Sequence, residues 1–440
     1  MLSGMGGIGG TSAQPSTIGQ SLPAAGSGAV TSATSSTAIT PGGTVGSSVN
    51  NAAPRTNEAV AANASATAPA NASAVASAFS GPVSNPYPFA QGDSFQYAYA
   101  ASRSSERVGK PLNKTTTSGT LVTTIGGMVS FGGQQLVDVK QVLSYTDADA
   151  SQKTTAAGTT SSDRYETFAQ AGNGGLLYQT YGGAISGKSS NSAGDSLVSA
   201  STTTYAGPYV LDQLPEAKKA TWNDLLGYTL TAQTQATASG LTTTGQSTYT
   251  RNADGSYTRS TTHTPAGGAT LTLAESQSAG GSGQEQSSGN QATAATTTFS
   301  APAQVNGAYV ITVVRTPASG AAVTTTVPDW FPGNAAAPPL ATDQRIDLGQ
   351  TAVPAKCGST AGQNAMKLRE LMTELDVVRG TYSSEVVDSF VVAGEGVVCI
   401  DHQRLTQAYD NRATGKLVSV ERFNETIGLS GETLKQARAK

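Results

Sequence analysis

The tetrapeptide Gly194-Asp195-Ser196-Leu197 is the stretch with the clearest look of reaction chemistry. A nucleophilic serine needs an imidazole within hydrogen-bond reach and a carboxylate behind that imidazole. The chain offers only two histidines, His263 and His402. That scarcity also weighs against zinc, whose sites draw on several His and Cys side chains. Paired carboxylates are the second candidate, since glycosidases hold two of them roughly 5–10 Å apart. Asp147 and Asp149 share one side of "YTDADAS" and read as solvated residues closing a strand, or as a weak calcium site. Glu385 and Asp388 have opposite parity on a strand and face apart.

Gly-Asp-Ser-Leu resembles the name-giving motif of a large family of serine esterases and lipases. That resemblance implies an apolar parallel strand before the serine and an Asp-x-x-His far downstream. Here "ISGKSSNS" precedes the motif, Asp401 and His402 are adjacent, and neither histidine lies in an Asp-x-x-His. Ser196 is therefore read as part of a polar loop. No catalytic residue, no metal and no cofactor is expected.

Cys357 and Cys399 are the only cysteines. A disulfide between them closes a loop of about 42 residues, worth roughly 4 kcal/mol by chain entropy, and places the chain in an oxidising compartment. Two reduced core thiols are the competing reading. A Cys399–His402 catalytic pair fails, because residues three apart on a strand point to opposite faces.

The elements that must position these residues are set by an unusual composition. Charged residues make up 12% of the 440 positions, against roughly 25% in ordinary globular chains. A net charge of -3 gives no electrostatic case for nucleic acid. No apolar run is long enough for a transmembrane helix. The start, "MLSGMGGIGG", lacks a charged n-region and an apolar h-region, so either the chain is cytoplasmic or an export signal has been removed. Removal is favoured, which places the protein in the periplasm, on the outer surface or outside the cell. Leu2-Ser3-Gly4 resembles the tail of a bacterial lipobox, but Met5 stands where the lipidated cysteine belongs. A lipid anchor would require that an N-terminal cysteine had been removed.

Residues 1–85 are low-complexity, with Arg55 and Glu58 as their only charges, and read as a disordered tether. Asn63 and Asn71 lie in formal glycosylation sequons. Residues 86–331 carry period-2 runs, first Phe95, Tyr97 and Tyr99, that predict an antiparallel β domain, a sandwich or half-barrel. Asp254-Gly255 marks a hairpin between Tyr249 and Tyr257. "PEAKKATWNDLLGY" is the one helical candidate of this region, and "GGSGQEQSSG" reads as a linker. A boundary is expected at 332–345. Residues 346–440 then read as an α+β domain, a helix on a three-stranded sheet. That helix is predicted from Leu368, Leu371, Met372 and Leu375, with Gly380 as its C-cap, and a last short helix is predicted from Ser430.

Pro88-Phe89-x-x-Gly92-Asp93-x-Phe95-x-Tyr97 resembles the opening strand of exported bacterial lipoprotein-like β-rich proteins of unassigned function. The resemblance implies an exported β protein and no catalytic residue. The expected function is a non-enzymatic cell-envelope or secreted binding or structural protein, carrying a lipid or other apolar ligand in a β half-barrel. Tyr97, Tyr99, Trp222, Tyr228 and Trp330 are its candidate ligand-binding residues. The alternative is a secreted hydrolase acting on glycan or ester substrates. The expected partner is an apolar ligand, a glycan or an envelope protein.

Overall fold

The computed structural model describes residues 91–433 apart from 111, 132, 150–153, 171–175, 192–195, 215–220, 224–227, 239, 253, 290–294, 307, 329–340 and 393–394. The expected tether therefore lies outside the described residues. The first six strands are long: β1 (Ser94–Arg107), β2 (Asn113–Phe131), β3 (Gln134–Asp149), β4 (Thr154–Gln170), β5 (Leu176–Asn191) and β6 (Ser196–Leu214). Shorter ones follow: β7 (Thr221–Asn223), β8 (Tyr228–Ala238), β9 (Leu241–Arg251), β10 (Tyr257–Thr264), β11 (Leu271–Gln277), β12 (Gly283–Ser288), β13 (Ala295–Phe299), β14 (Ala303–Val305), β15 (Ala308–Pro317) and β16 (Val323–Val327). The chain closes with β17 (Ala341–Ala352), a 3-10 segment (Ala355–Thr360), β18 (Asn364–Asp376), β19 (Thr381–Val392), β20 (Gly396–Tyr409) and β21 (Leu417–Thr433).

Every described pairing is antiparallel, and nearly all join strands adjacent in the chain. The last strand returns to the first, with Tyr99 opposite Ile427. The sheet is thus an up-and-down meander that comes back on itself, as barrels do to remove their edges. β16 and β17 have no pairing with each other among the described residues. The edge of β17 instead receives β7, with Trp222 opposite Arg345.

Strand alternation decides what faces inward. In β1 the buried Phe95, Tyr97, Tyr99 and Ala101 alternate with exposed Gln96, Ala98 and Ala100. They join Leu121, Ile125, Val139 and Leu143 on one side and Val387, Phe390, Ile400, Phe423 and Ile427 on the other in one core. Fully burying side chains of this size contributes about 1.5–3 kcal/mol each. A second cluster packs Phe299, Ile311, Val313 and Val327 against Leu375, Val377, Val378 and Tyr409. Among the described residues these aromatics are packed into the interior.

The expectation of a mainly antiparallel β chain holds, and several finer readings are corrected. The predicted C-terminal α+β domain is not seen: the run with Leu368, Leu371, Met372 and Leu375 is strand β18, and its neighbours β17 and β19 supply hydrogen-bonded ladders on both edges. Tertiary pairing overrides the helix propensity of this run. Ser430 lies in β21, where its hydroxyl donates to the Gln96 carbonyl at 3.1 Å, so it caps no helix. Trp222 sits in a strand; most of the remaining helix candidate lies outside the described residues. "ISGKSSN" belongs to β5, and the supposed linker holds β12. The Asp254-Gly255 hairpin forms as expected, with the Tyr249 and Tyr257 rings 5.6 Å apart.

Candidate functional site

Several ionisable side chains are buried inside the sheet. His402 of β20 is fully buried, its Nε2 2.8 Å from Oε1 of Glu385 and its Nδ1 3.1 Å from Oε2 of Glu425. Burial opposes the imidazolium, but Glu385 and then Glu425 overcome it and lift the His402 pKa to about 9. Tyr99 is buried beside Glu425, and burial first, then that carboxylate, pushes its hydroxyl well above the usual phenol range. Further along, the Thr117 hydroxyl donates to Asp147 at 2.5 Å, and burial lifts the Asp147 carboxyl to about 6. Asp147 is therefore neither a solvated loop residue nor a calcium ligand.

A second buried group joins distant strands. Both nitrogens of one edge of the Arg379 guanidinium donate to Glu275, at 2.9 and 2.8 Å, and Arg259 reaches the same carboxylate at 3.3 Å. Tyr257 donates to Asp376 at 2.7 Å, Arg251 to Glu374 at 2.9 Å, and Arg412 to Glu285 at 2.8 Å. Arg259 also lies over the Tyr249 and Tyr257 rings at 4.8 and 5.2 Å. This layer clamps β9–β12 onto the tips of β18–β21. These groups are engaged with one another and tie the strands together. Among the described residues no cluster has the makings of a metal site.

Ser196 opens β6 in an antiparallel ladder, exposed, opposite Ser190. The row across the sheet that contains His263 runs through Gly245, Thr234 and Ser201, so His263 is five residues of strand away from Ser196. His402 is sealed between its glutamates. Among the described residues Ser196 therefore meets neither imidazole, and the Gly-Asp-Ser-Leu resemblance has no triad behind it. Glu385 and Asp388 face apart as expected, Asp388 taking Arg369 and Lys367 at 2.6 and 2.8 Å. Cys357 and Cys399 form the disulfide, with Cα atoms 5.7 Å apart. It ties the 3-10 segment, not a helix, to β20.

Of the proposed aromatic ligand residues, two are described in full. Tyr97 and Tyr99 are core residues, 2% and 3% exposed. Trp222 and Tyr228 lie on different strands, β7 and β8, and Trp330 lies outside the described residues.

What the sequence reading missed is on the outer face. β6, β8, β9 and β10 present an open groove of about 460 Å³. Its floor is two rows that cross the four strands in register, Thr202–Gln233–Gln246–Thr262 and Ala200–Gln235–Thr244–Thr264. The signal was in the sequence: Thr229, Thr231, Gln233, Gln235 and Thr237 alternate strictly, a polar stripe of period 2. On either side of the groove the stripe satisfies itself. Thr229 and Thr250 hydroxyls bond across strands at 2.9 Å, and Thr237 and Thr242 at 2.8 Å. Within it, Gln233 faces Gln246 and Gln235 faces Thr244, and among the described residues these side chains make no cross-strand bond.

No protein-family model and no curated protein matches the chain. Among solved structures it is similar to OpdQ of Pseudomonas aeruginosa, at 10% identity over 79% of this chain and 100% of that one, with a TM-score of 0.22. OccK7 (OpdD) of the same organism matches at 12% identity over 77% and 99%, TM-score 0.24. A BenF-like porin from Pseudomonas fluorescens Pf-5 matches at 12% over 77% and 98%, TM-score 0.21. Superpositions this loose establish neither a shared fold nor a shared activity. No exported lipoprotein-like protein is among these matches, and that resemblance is withdrawn. The expected binding or structural protein with an apolar ligand in a half-barrel is corrected as well: Tyr97 and Tyr99, two of its proposed ligand residues, are packed into the core.

Proposed function

We propose that the protein is a barrel-type component of the cell envelope that recognises neutral, hydroxyl-rich chains, glycans, along the outer face of β6–β10. The observation that carries this reading is the groove itself. It is lined mainly by amides and hydroxyls, which donate and accept without charge, and no ionic side chain is among its lining residues. An uncharged floor favours neither nucleic acid nor acidic polymers. An apolar partner would leave the outward glutamines unpaired against it, at a cost of roughly 1–3 kcal/mol for each buried unsatisfied group. A face turned to lipid presents an apolar band, whereas the outward positions of β9 are Thr242, Thr244, Gln246, Thr248 and Thr250. The sugar hydroxyl is the chemistry that matches the floor on both its donor and acceptor sides.

The test is retention of the full chain on immobilised neutral polysaccharides, acidic polysaccharides and phospholipid vesicles. Retention on neutral polysaccharides alone is the expected result. Retention on vesicles alone, or on none of the three, overturns the reading.

A further inference from the structure

Resting on that reading, we infer that the glycan lies across the strands, in the trough between the two rows, and that the Gln233–Gln246 amide pair is its central contact. Three features of the groove fix this orientation. First, each row runs through four neighbouring strands, so at about 4.8 Å per strand a row is roughly 14 Å long. Second, the rows are two residues apart on each strand, about 6.8 Å, which leaves a trough one narrow chain wide. Third, paired threonines flank the trough along the strands, while across them the one such pair is at the β10 end of the second row, where Thr264 meets Thr270 at 2.8 Å. Thr229–Thr250 and Thr231–Thr248 pairs, at 2.9 and 3.5 Å, flank it beyond Gln233 and Gln246. Thr237–Thr242, at 2.8 Å, flanks it beyond Gln235 and Thr244.

In each of those pairs one hydroxyl spends its only donor on the other, so a chain running along the strands would leave the groove and meet fewer free donors there. A chain running across them meets Gln233 and Gln246 side by side. Each amide brings two N–H donors and one carbonyl acceptor, enough to bond vicinal hydroxyls on successive sugars. No aromatic side chain lines the groove, so recognition proceeds by hydrogen bonding without ring stacking. It therefore selects linear, unbranched chains that lie flat in the trough.

The experiment uses the full chain and the linear hexasaccharides maltohexaose, cellohexaose and laminarihexaose, with binding followed by calorimetry. Substituting Gln233→Ala with Gln246→Ala is expected to weaken binding of the preferred hexasaccharide at least tenfold. The same change at Gln284 and Gln286, outward glutamines of β12 beyond the groove, is the control and is expected to leave binding within twofold. Orientation is read with bulky blocks. Thr202→Trp and Thr262→Trp, at the two ends of one row, should abolish binding, whereas Thr231→Trp and Thr237→Trp, along β8, should leave it intact. The opposite pattern, or equal loss from the β12 control, overturns the inference and leaves the glycan reading standing. Failure of the unaltered chain to bind any of the three sugars overturns both. Melting temperatures of all variants identify any that lose binding by unfolding.

Discussion

Nε2 of His402 lies 2.8 Å from Oε1 of Glu385, and neither side chain reaches water. With Glu425 on the other ring nitrogen, the imidazole is held as a cation inside the sheet. Its folded pKa of about 9 stands above the ordinary value of 6.5. A raised histidine contributes stability in full below the unfolded pKa and loses it as pH rises through the folded one. The pair should therefore support the fold fully below about pH 6.5 and progressively less up to and beyond about pH 9. Denaturant titrations at pH 7 and pH 10 should show the loss, at most about 3 kcal/mol. His402→Gln should remove most of that slope and lower stability at pH 7. An unchanged slope would mean that the imidazole is neutral in the fold.

Asp147 predicts the opposite window. Burial lifts its carboxyl to about 6, with the Thr117 hydroxyl opposing part of the rise. A raised carboxyl binds its proton more tightly in the folded chain, so its contribution grows as pH falls through about 6 and levels off near the unfolded value, about 4. Asp147→Asn keeps an acceptor for Thr117 without the charge. It should stabilise the protein at pH 7 by about 1–2 kcal/mol and have little effect at pH 4, a difference that chemical denaturation at the two pH values reads directly.

How much of this was legible in the sequence depended on whether one period fitted alone. Phe95, Tyr97 and Tyr99 fit only a strand, and they form β1. Asp254-Gly255 sits between two alternating runs, and the hairpin follows. In β18, Met366, Leu368, Glu370 and Met372 alternate like a strand while Leu368, Leu371, Met372 and Leu375 recur like a helix. Both periods fit, and only the edges offered by β17 and β19 decide between them. β12, "GQEQSS", has no apolar residue at all, so pairing from β11 and β13 makes it a strand where composition makes it a linker. The groove was hidden for a related reason. Gln233 and Gln246 are thirteen positions apart and become neighbours only through the register of β8 and β9.

The ionic clamp makes a prediction about cost. Glu275 is 3% exposed and accepts from both Arg379 and Arg259, whose charges hold its carboxyl well below the usual range against the pull of burial. Removing one partner of a buried pair leaves a charge enclosed without compensation, typically about 3–5 kcal/mol. Glu275→Gln should cost that much. Lys140→Ala should cost under about 1 kcal/mol, since Lys140 meets Asp163 at 3.9 Å with its own side chain 53% exposed. Equal costs in urea melts would show that β9–β12 are not clamped through Glu275.

Gly380 closes the turn between β18 and β19 at φ 66°, where a Cβ would stand 2.7 Å from both the Asn411 Cγ and the Tyr409 carbonyl. Asn411 cannot withdraw freely, because its amide donates to the Val377 and Val378 carbonyls at 2.7 and 2.8 Å. Gly133 has a similar φ, 79°, and nothing within 4 Å of its would-be Cβ. Gly133→Ala therefore bears only the left-handed backbone penalty, about 1–2 kcal/mol. Gly380→Ala adds a steric clash with a hydrogen-bonded side chain, which raises the total to about 3 kcal/mol or more. The same backbone penalty in both variants makes their difference a direct reading of how firmly the Asn411 loop is seated on the β18–β19 turn. Matching melting temperatures for the two variants would show that this loop moves aside and that the tips of β18–β21 are looser than the packing around Val377 and Val378 implies.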